Sequence, residues 1–308
     1  MIGIDVGGAN LKVVTESGSA IQYCPLWKGA PIVDLLRPFA GDQAAVVMSG
    51  ELADSFVSKE EGIRFIVEQV RSVFPGARFY GTDGQFHSGP TPVLAAANWL
   101  ASAVWLGRTD PHSVLLDIGS TTTDIIPLAD PKGLYGLTDL SRLQEGYLLH
   151  TGMLRTTVPA IIHAVEVHGR RTPVASEHFA QSGDVHLVLG HIGPGDYTTE
   201  TPDGGPATRE GALRRLARVV CADLGELGEP TTTSIAEQVW HVQRRMVTEA
   251  VNAVLRRFHA RDVLVAGIGA STFAPILGAE DLSVRMGPLA DTLPAHAVRQ
   301  LALDGEGR

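Results

Sequence analysis

The chain has 308 residues, 44% of them hydrophobic, and a formal net charge of -9. That length exceeds one ordinary core and suits two domains, and the apolar content is too high for a disordered chain. The acidic balance excludes a general nucleic-acid binder, whose surface would be basic; it leaves anionic small molecules open, because backbone amides and a metal ion bind phosphate without net positive charge.

Two cysteines, Cys24 and Cys221, occur without a CxxC pair. They predict reduced, partly buried thiols in a cytoplasmic protein rather than a zinc site. No basic segment followed by an apolar one opens the chain; the first strand is expected from Ile2, with no leader before it. The most apolar stretch, 92–107, contains Asn98 and Ser102. It falls short of the roughly 20 residues of a membrane span and is expected as a buried helix over 92–106, with Pro92 in its first turn.

Ile2, Ile4 and Val6 alternate with Gly3 and Asp5, which predicts a strand. Gly7-Gly8-Ala9-Asn10 turns it, and 11–14 returns. Residues 59–74 predict an amphipathic helix with Ile63, Ile66, Val67, Val70 and Phe74 inward and a Ser58/Glu61 capping box. A second apolar strand covers 114–118, Gly119-Ser120-Thr121-Thr122 turns it, and 125–128 leads away. Residues 151–165 predict helix broken by Pro159, 185–189 a short strand, and 193–206 a loop. An Arg-rich helix with a solvated face is expected over 209–224. A longer helix is expected over 235–259, capped by Ser234 and Glu237, with Arg256 and Arg257 favouring its C-terminal dipole. A third buried strand, 263–266, ends at Gly267-Ile268-Gly269-Ala270-Ser271. The domain break is placed before Val114, giving units 1–112 and 113–308, the second with an inserted region at about 140–207.

One pattern outweighs these assignments. Ile4-Asp5-Val6-Gly7-Gly8-Ala9-Asn10 and Leu116-Asp117-Ile118-Gly119-Ser120-Thr121-Thr122 share a frame: an apolar strand ending in Asp-aliphatic-Gly, a small polar turn, then another strand. This reads as an internal repeat of a whole half, which would bring both turns to one cleft. Turns of glycine and small residues gather backbone N–H groups into a concavity for phosphate oxygens. Gly7, Gly8 and Asn10, with Gly119, Ser120, Thr121 and Thr122, are the candidate phosphate binders, and Lys12 would neutralise a phosphate. Asp5 and Asp117, at the strand ends, are candidate Mg²⁺ ligands, directly or through water. His163/His168 and His186/His191 stand five apart, a poor ligand spacing on helix or strand. HExxH, GxxxxGK[ST] and GxSxG motifs are absent.

The order of these motifs resembles the phosphate-1, phosphate-2 and adenosine signatures of the actin/sugar-kinase/Hsp70 superfamily. The carrying residues are Ile2 to Asn10, Ser49-Gly50-Glu51-Leu52 and Asp117 to Asp124; Gly267, Gly269, Ala270 and Ser271 stand at the adenosine-motif position. The resemblance is nearest to the hydantoinase A/oxoprolinase group. Gly146-Tyr147, Thr151-Gly152, Arg155-Thr156 and Gly195-Asp196-Tyr197 narrow it to members found with tetrahydromethanopterin-linked one-carbon metabolism, including a methanofuran-biosynthesis furfuryl aryl ether synthase. The implied fold is α/β, with two RNase H-like (actin-like ATPase) domains flanking a central phosphate-binding cleft. The implied reaction joins an aminomethylfuran-methyl diphosphate to the phenol of γ-glutamyltyramine or a related tyrosine-derived phenol and releases pyrophosphate. Asp5, Asp117 and Asp124 would surround metal and leaving group, and Glu51, with Asp83 and His87 behind it, would be the candidate base. The expected cofactor is Mg²⁺ and the expected partners are small molecules, not nucleic acid or membrane; a homo-oligomer is left open. An ATP-dependent hydantoinase/oxoprolinase-type hydrolase or small-molecule kinase is the second reading, and a non-catalytic nucleotide-binding protein the third.

Overall fold

The computed structural model describes residues 1–29, 31–41 and 43–305. Six strands form the first sheet: β1 (Ile2–Val6), β2 (Asn10–Val14), β3 (Ser19–Tyr23), β4 (Ala44–Met48), β5 (Arg78–Tyr80) and β6 (Phe86–His87). Their order is β3-β2-β1-β4-β5-β6. The β1–β2 and β2–β3 pairs are antiparallel, and β4 and β5 follow in parallel.

The second half repeats this plan. Its strands are β7 (Ser113–Ile118), β8 (Thr123–Pro127) and β9 (Leu148–Leu149), then a separate hairpin of β10 (Ala164–Val167) and β11 (Arg170–Pro173), then β12 (Asp262–Ala266) and β13 (Glu280–Asp281). The second sheet runs β13-β12-β7-β8-β9. Here too β7–β8 and β8–β9 are antiparallel, and β12 and β13 are parallel to β7. Read outward from each first strand, the two sheets have the same order and the same strand directions, apart from the extra edge strand β6. Each carries the RNase H-like arrangement, and the chain is an α/β protein of two such units.

Strand β4 reads Ala-Ala-Val-Val-Met without polar alternation because both its faces are covered. Ala44, Val46 and Met48 join Ile4, Val6, Leu11 and Val13 and the inward residues of the Lys59–Val73 helix in one core. Ala45 and Val47 face the other way, into a core continuous with the second sheet. That face is covered by the Asn98–Leu106 helix and by the Leu293–Leu303 helix, which packs on β1 and β4. The last helix of the chain is therefore built into the first sheet, although a division at 112/113 counts it with the second half. The approach is close: a Cβ on Gly3 would lie 2.0 Å from the Ala295 carbonyl oxygen. Arg299 Nε donates to the Met1 carbonyl at 3.0 Å.

Several expected elements differ. Residues 92–106 split into a short 3₁₀ turn, Pro92–Leu94, and the Asn98–Leu106 helix, because Ala96 takes a left-handed φ of 47° between them. Residues 151–165 hold only a four-residue helix, Val158–Ile161, before β10. The expected strand 185–189 is the end of a helix, Ser182–Leu189. A short apolar run suits a buried helix as well as a strand, and the signals that decide lie outside it: Gln181 and Asp184 cap each other and Gly190 closes the C-terminus in the left-handed region. The helix and its αL turn bring His186 Nδ1 and His191 Nδ1 to 2.9 Å. Burial, with His191 beside it, holds His186 down to about 3, so this is a neutral hydrogen-bonded pair.

The Arg-rich helix stops at Arg218, and the next runs from Leu224 to Phe258 around a non-helical Gly228. Asp223 caps the short turn before that kink, accepting from the Glu226 N–H at 2.8 Å, and the long helix begins just after Gly228, so Ser234 and Glu237 lie inside it rather than at its start. The Ser58 cap is as expected, but the Glu61 carboxylate accepts from Val57 N–H instead of Ser58 N–H. Cys24 is buried, whereas Cys221 is exposed. No described helix is long and apolar enough to cross a membrane.

The Gly3 contact gives a test. Gly3→Ala should destabilise the protein by on the order of 3 kcal/mol, because the new methyl collides with helix backbone rather than a side-chain tip. Urea unfolding checks it; a midpoint equal to wild type would mean the Leu293–Leu303 helix is not docked on β1.

Candidate phosphate-binding site

The two turns are built alike. Gly7 N–H donates to Asn10 O at 3.0 Å and Gly119 N–H to Thr122 O at 2.9 Å, leaving Gly8-Ala9 and Ser120-Thr121 as two-residue loops. The loop carbonyls are taken from the flanks. Leu26 and Cys24 N–H groups bind the Gly8 and Ala9 oxygens at 3.0 and 2.8 Å. Met153 N–H binds Gly119 O, and the Leu154 and Arg155 N–H groups bind Ser120 O, all at 3.0 Å. The amides of Gly8, Ala9, Ser120 and Thr121 meet no acceptor among the described residues. In the first turn both loop carbonyls are occupied, and in the second the Ser120 carbonyl is, while the loop amides stay free, a polarity that favours an anion.

Close packing holds the second turn in place. A Cβ on Gly152 would lie 2.6 Å from the Thr121 nitrogen. Buried Gln243 donates to the Gly152 carbonyl at 2.9 Å and to Thr151 Oγ1 at 3.0 Å, and accepts from or faces His186 Nε2 at 3.1 Å. Gly267, at φ 80°, seats the end of β12 against Asp117: a Cβ there would be 2.6 Å from its Oδ1. Gly269 packs as tightly on Ile118, Ala270 starts the next helix buried, and Ser271 is exposed.

Register sets the electrostatics. Asp5 pairs with Lys12 across the first hairpin, and Asp117 with Asp124 across the second, so each pair shares a face of its sheet. Lys12 lies within electrostatic reach of Asp5, Asp117, Asp124 and Asp291. Both hairpins therefore do meet at one place. Burial, opposed by Lys12 and assisted by Asp124, pushes Asp5 up to about 6. Burial likewise raises Asp117 to about 6. Asp5 is 4% exposed, and its Oδ1 has no hydrogen-bond partner. Asp124 is instead held by the buried Arg142 guanidinium, which also binds Asp139 at 3.1 Å and lies 4.4 Å over the Trp99 ring.

The remaining candidates stand apart. Glu51 is buried and its carboxyl is pushed up by desolvation, but the side chains that act on it are Lys59 and Asp139, not the aspartates of the turns. Its Oε2 has no partner. Asp83 and His87 bind each other at 3.0 Å beside the edge strand β6. Two open surface concavities, one around Glu166, His168 and Gln238 and one along the 199–207 loop, hold none of these residues.

Residues 42–287 match the family model described as hydantoinase/oxoprolinase. The chain belongs to the hydantoinase/oxoprolinase family. It is 34% identical over 283 residues to a Methanocaldococcus jannaschii protein, covering 87% of this chain and 86% of that one. That relative is named (4-{4-[2-(gamma-L-glutamylamino)ethyl]phenoxymethyl}furan-2-yl)methanamine synthase. A Methanococcus vannielii protein of the same name is 36% identical over 160 residues, 52% of this chain and 72% of its own. Among solved structures, a ROK family glucokinase from Streptomyces griseus in complex with glucose and AMPPNP aligns over 99% of both chains, at 14% identity and a TM-score of 0.43.

Two residues beside the paired turns of this family member had no signal in the sequence. Arg142 comes from a helix, Asp139–Glu145, with no Gly-rich frame to mark it. Asp291 precedes the helix that crosses back to the first sheet, and only that crossing brings it near Lys12 and Asp117.

The Asp5 shift has a measurable sign. Its folded value, about 6, exceeds the ordinary 3.8, so the native state holds more protons between those values. The metal-free protein should then lose stability as pH rises from about 4 to 6 and stay at the lower level above. Asp5→Asn removes that cost: it should be more stable than wild type at pH 7.5 by up to about 3 kcal/mol, with the gap closing near pH 4. Denaturant titrations in chelator at both pH values check this; a gap that does not depend on pH would contradict it.

Proposed function

We propose that this chain makes an aryl ether, joining an aminomethylfuran-methyl diphosphate to the phenol of γ-glutamyltyramine or a related tyrosine-derived phenol and releasing pyrophosphate. The observation that carries this reading is the pair of equivalent turns, with free amides, over the carboxylates of Asp5 and Asp117. Such a site suits a diphosphate as well as it suits a nucleotide. The relatives' name describes a phenoxymethyl-furan, an ether at the carbon where a diphosphate would leave.

The residues fit a magnesium ion. Among the described residues no three His, Cys, Asp or Glu side chains gather into a metal cage. Magnesium does not need one, since it takes one or two carboxylates and completes its shell with water and substrate phosphate. Asp5, with its orphaned oxygen, and Asp117 would hold it. Bound there, the ion would supply charge neutralisation to the departing diphosphate.

The chain's own groups account for the rest. The amides of both turns bind the diphosphate and stabilise its charge as the carbon–oxygen bond breaks and the electron pair leaves with pyrophosphate. The furan ring stabilises positive charge at the methylene carbon, and the phenolic oxygen forms the new bond to it. The phenolic proton passes to a base, and Glu51, buried beside the turns with an unpartnered Oε2, is the candidate for that role. Asp124, already paired with Arg142, fixes that guanidinium beside the site. Water has to be kept from the methylene carbon, where it would otherwise trap the furfuryl cation.

Incubation of the protein with Mg²⁺, the furfuryl diphosphate and γ-glutamyltyramine, followed by pyrophosphate release and product mass, tests the proposal. Ether is expected without ATP. Ether that appears only with ATP, or ATP hydrolysis in step with a hydantoin or oxoproline substrate, would overturn it. Furfuryl alcohol as main product would keep the diphosphate site and remove the phenol. Asp5→Ala and Asp117→Ala should each weaken Mg²⁺-dependent pyrophosphate binding by on the order of 10- to 100-fold while the protein stays folded; unchanged affinity in both would count against their metal role.

A further inference from the structure

The diphosphate of this reading would bring about three negative charges to a place already crowded with carboxylates. The cations around the turns are mostly committed. Arg142 is bound to Asp124 and Asp139. Lys28 is paired with Glu200. Lys12 stands opposite Asp5 in the field of the aspartates. Arg155 is different. It has no ion pair among the described residues, and none of its guanidinium N–H groups meets a protein acceptor there.

Its position follows from the backbone. Arg155 N–H binds the carbonyl of Ser120, the first loop residue of the second turn, at 3.0 Å. Leu26 N–H binds the carbonyl of Gly8, the first loop residue of the first turn, also at 3.0 Å. The side chain next to Leu26 is Trp27, and the Arg155 guanidinium lies 4.4 Å over its ring. Residues anchored to equivalent points of the two turns thus touch across the space between them. A guanidinium held over an aromatic ring by its face can keep its in-plane N–H groups available, and their fork matches phosphate oxygens.

We propose that Arg155, stacked on Trp27, is a diphosphate-binding residue that clamps the leaving group between the two turns. The indole orients the guanidinium, so less side-chain freedom is lost when the anion binds. The inference rests on the diphosphate reading above and adds the residue that closes that site. Trp27 acts through Arg155 and is a positioning residue.

The test is titration of the full chain with pyrophosphate and Mg²⁺ at fixed ionic strength, by calorimetry and by tryptophan emission. Wild type should bind, and its emission should change as the ring beside Arg155 responds. Arg155→Gln should lose about 10- to 100-fold in affinity with an unchanged melting temperature. Arg155→Lys should recover part of the loss, because an ammonium keeps the charge but not the fork. Trp27→Leu should lose several-fold, and Trp27→Phe should abolish the emission change while retaining most of the binding. Wild-type protein that binds no pyrophosphate would overturn the diphosphate reading, and the clamp with it. Wild-type binding matched within twofold by Arg155→Gln would overturn the clamp alone, as would a lower melting temperature in Arg155→Gln without weaker binding, the sign of a mere strut. Should Arg155→Gln fail to fold, Arg155→Lys and Trp27→Leu carry the test, and twofold agreement of both with wild type is again refutation.

Discussion

Lys12 stands among Asp5, Asp117, Asp124 and Asp291, and one ammonium cannot neutralise four carboxylates. The arrangement is costly, because burial raises Asp5 and Asp117 and the neighbouring Asp124 adds to the effect on both. The tension makes sense as a site held ready for something cationic between the aspartates and something anionic on the amides above them. Most of the nearby architecture serves to keep this charge in place: the paired registers, the glycines that let β12 and the 152 loop approach, and the Arg142 guanidinium that relieves Asp124.

The sequence made the most of this legible where a local frame repeats. Asp-aliphatic-Gly followed by a small turn occurs at 5–7 and 117–119, and the two hairpins it marks have equivalent closing hydrogen bonds and equivalent places in their sheets. A period of about 112 residues is too long for a solenoid, so a shared frame at that distance already implied duplicated halves. The turns could be read because their chemistry is local: a tight loop needs small residues, and a strand end displays the residue before it.

What stayed hidden was set by tertiary context. An apolar run such as Val185 to Leu189 fits strand and buried helix alike until its caps are weighed. Asp291, just before a helix, and Arg142, within one, look like surface residues, and only long-range packing places them beside the turns. Ser234 and Glu237 imitate a cap inside a helix that in fact begins just after the kink at Gly228, with Pro230 in its first turn. Glu51, legible as part of a Gly-Glu-Leu segment, is buried beside the site rather than within the aspartate cluster.

The Leu293–Leu303 helix on β1 and β4 also orders events in time. Synthesis proceeds from the N-terminus, so that face of the first sheet has only the Asn98–Leu106 helix to cover it until residues 293–303 have been made. During that interval Ala45 and Val47 have no permanent cover from the helix that will pack there. The half that is translated first therefore completes its packing only when the Leu293–Leu303 helix becomes available to it.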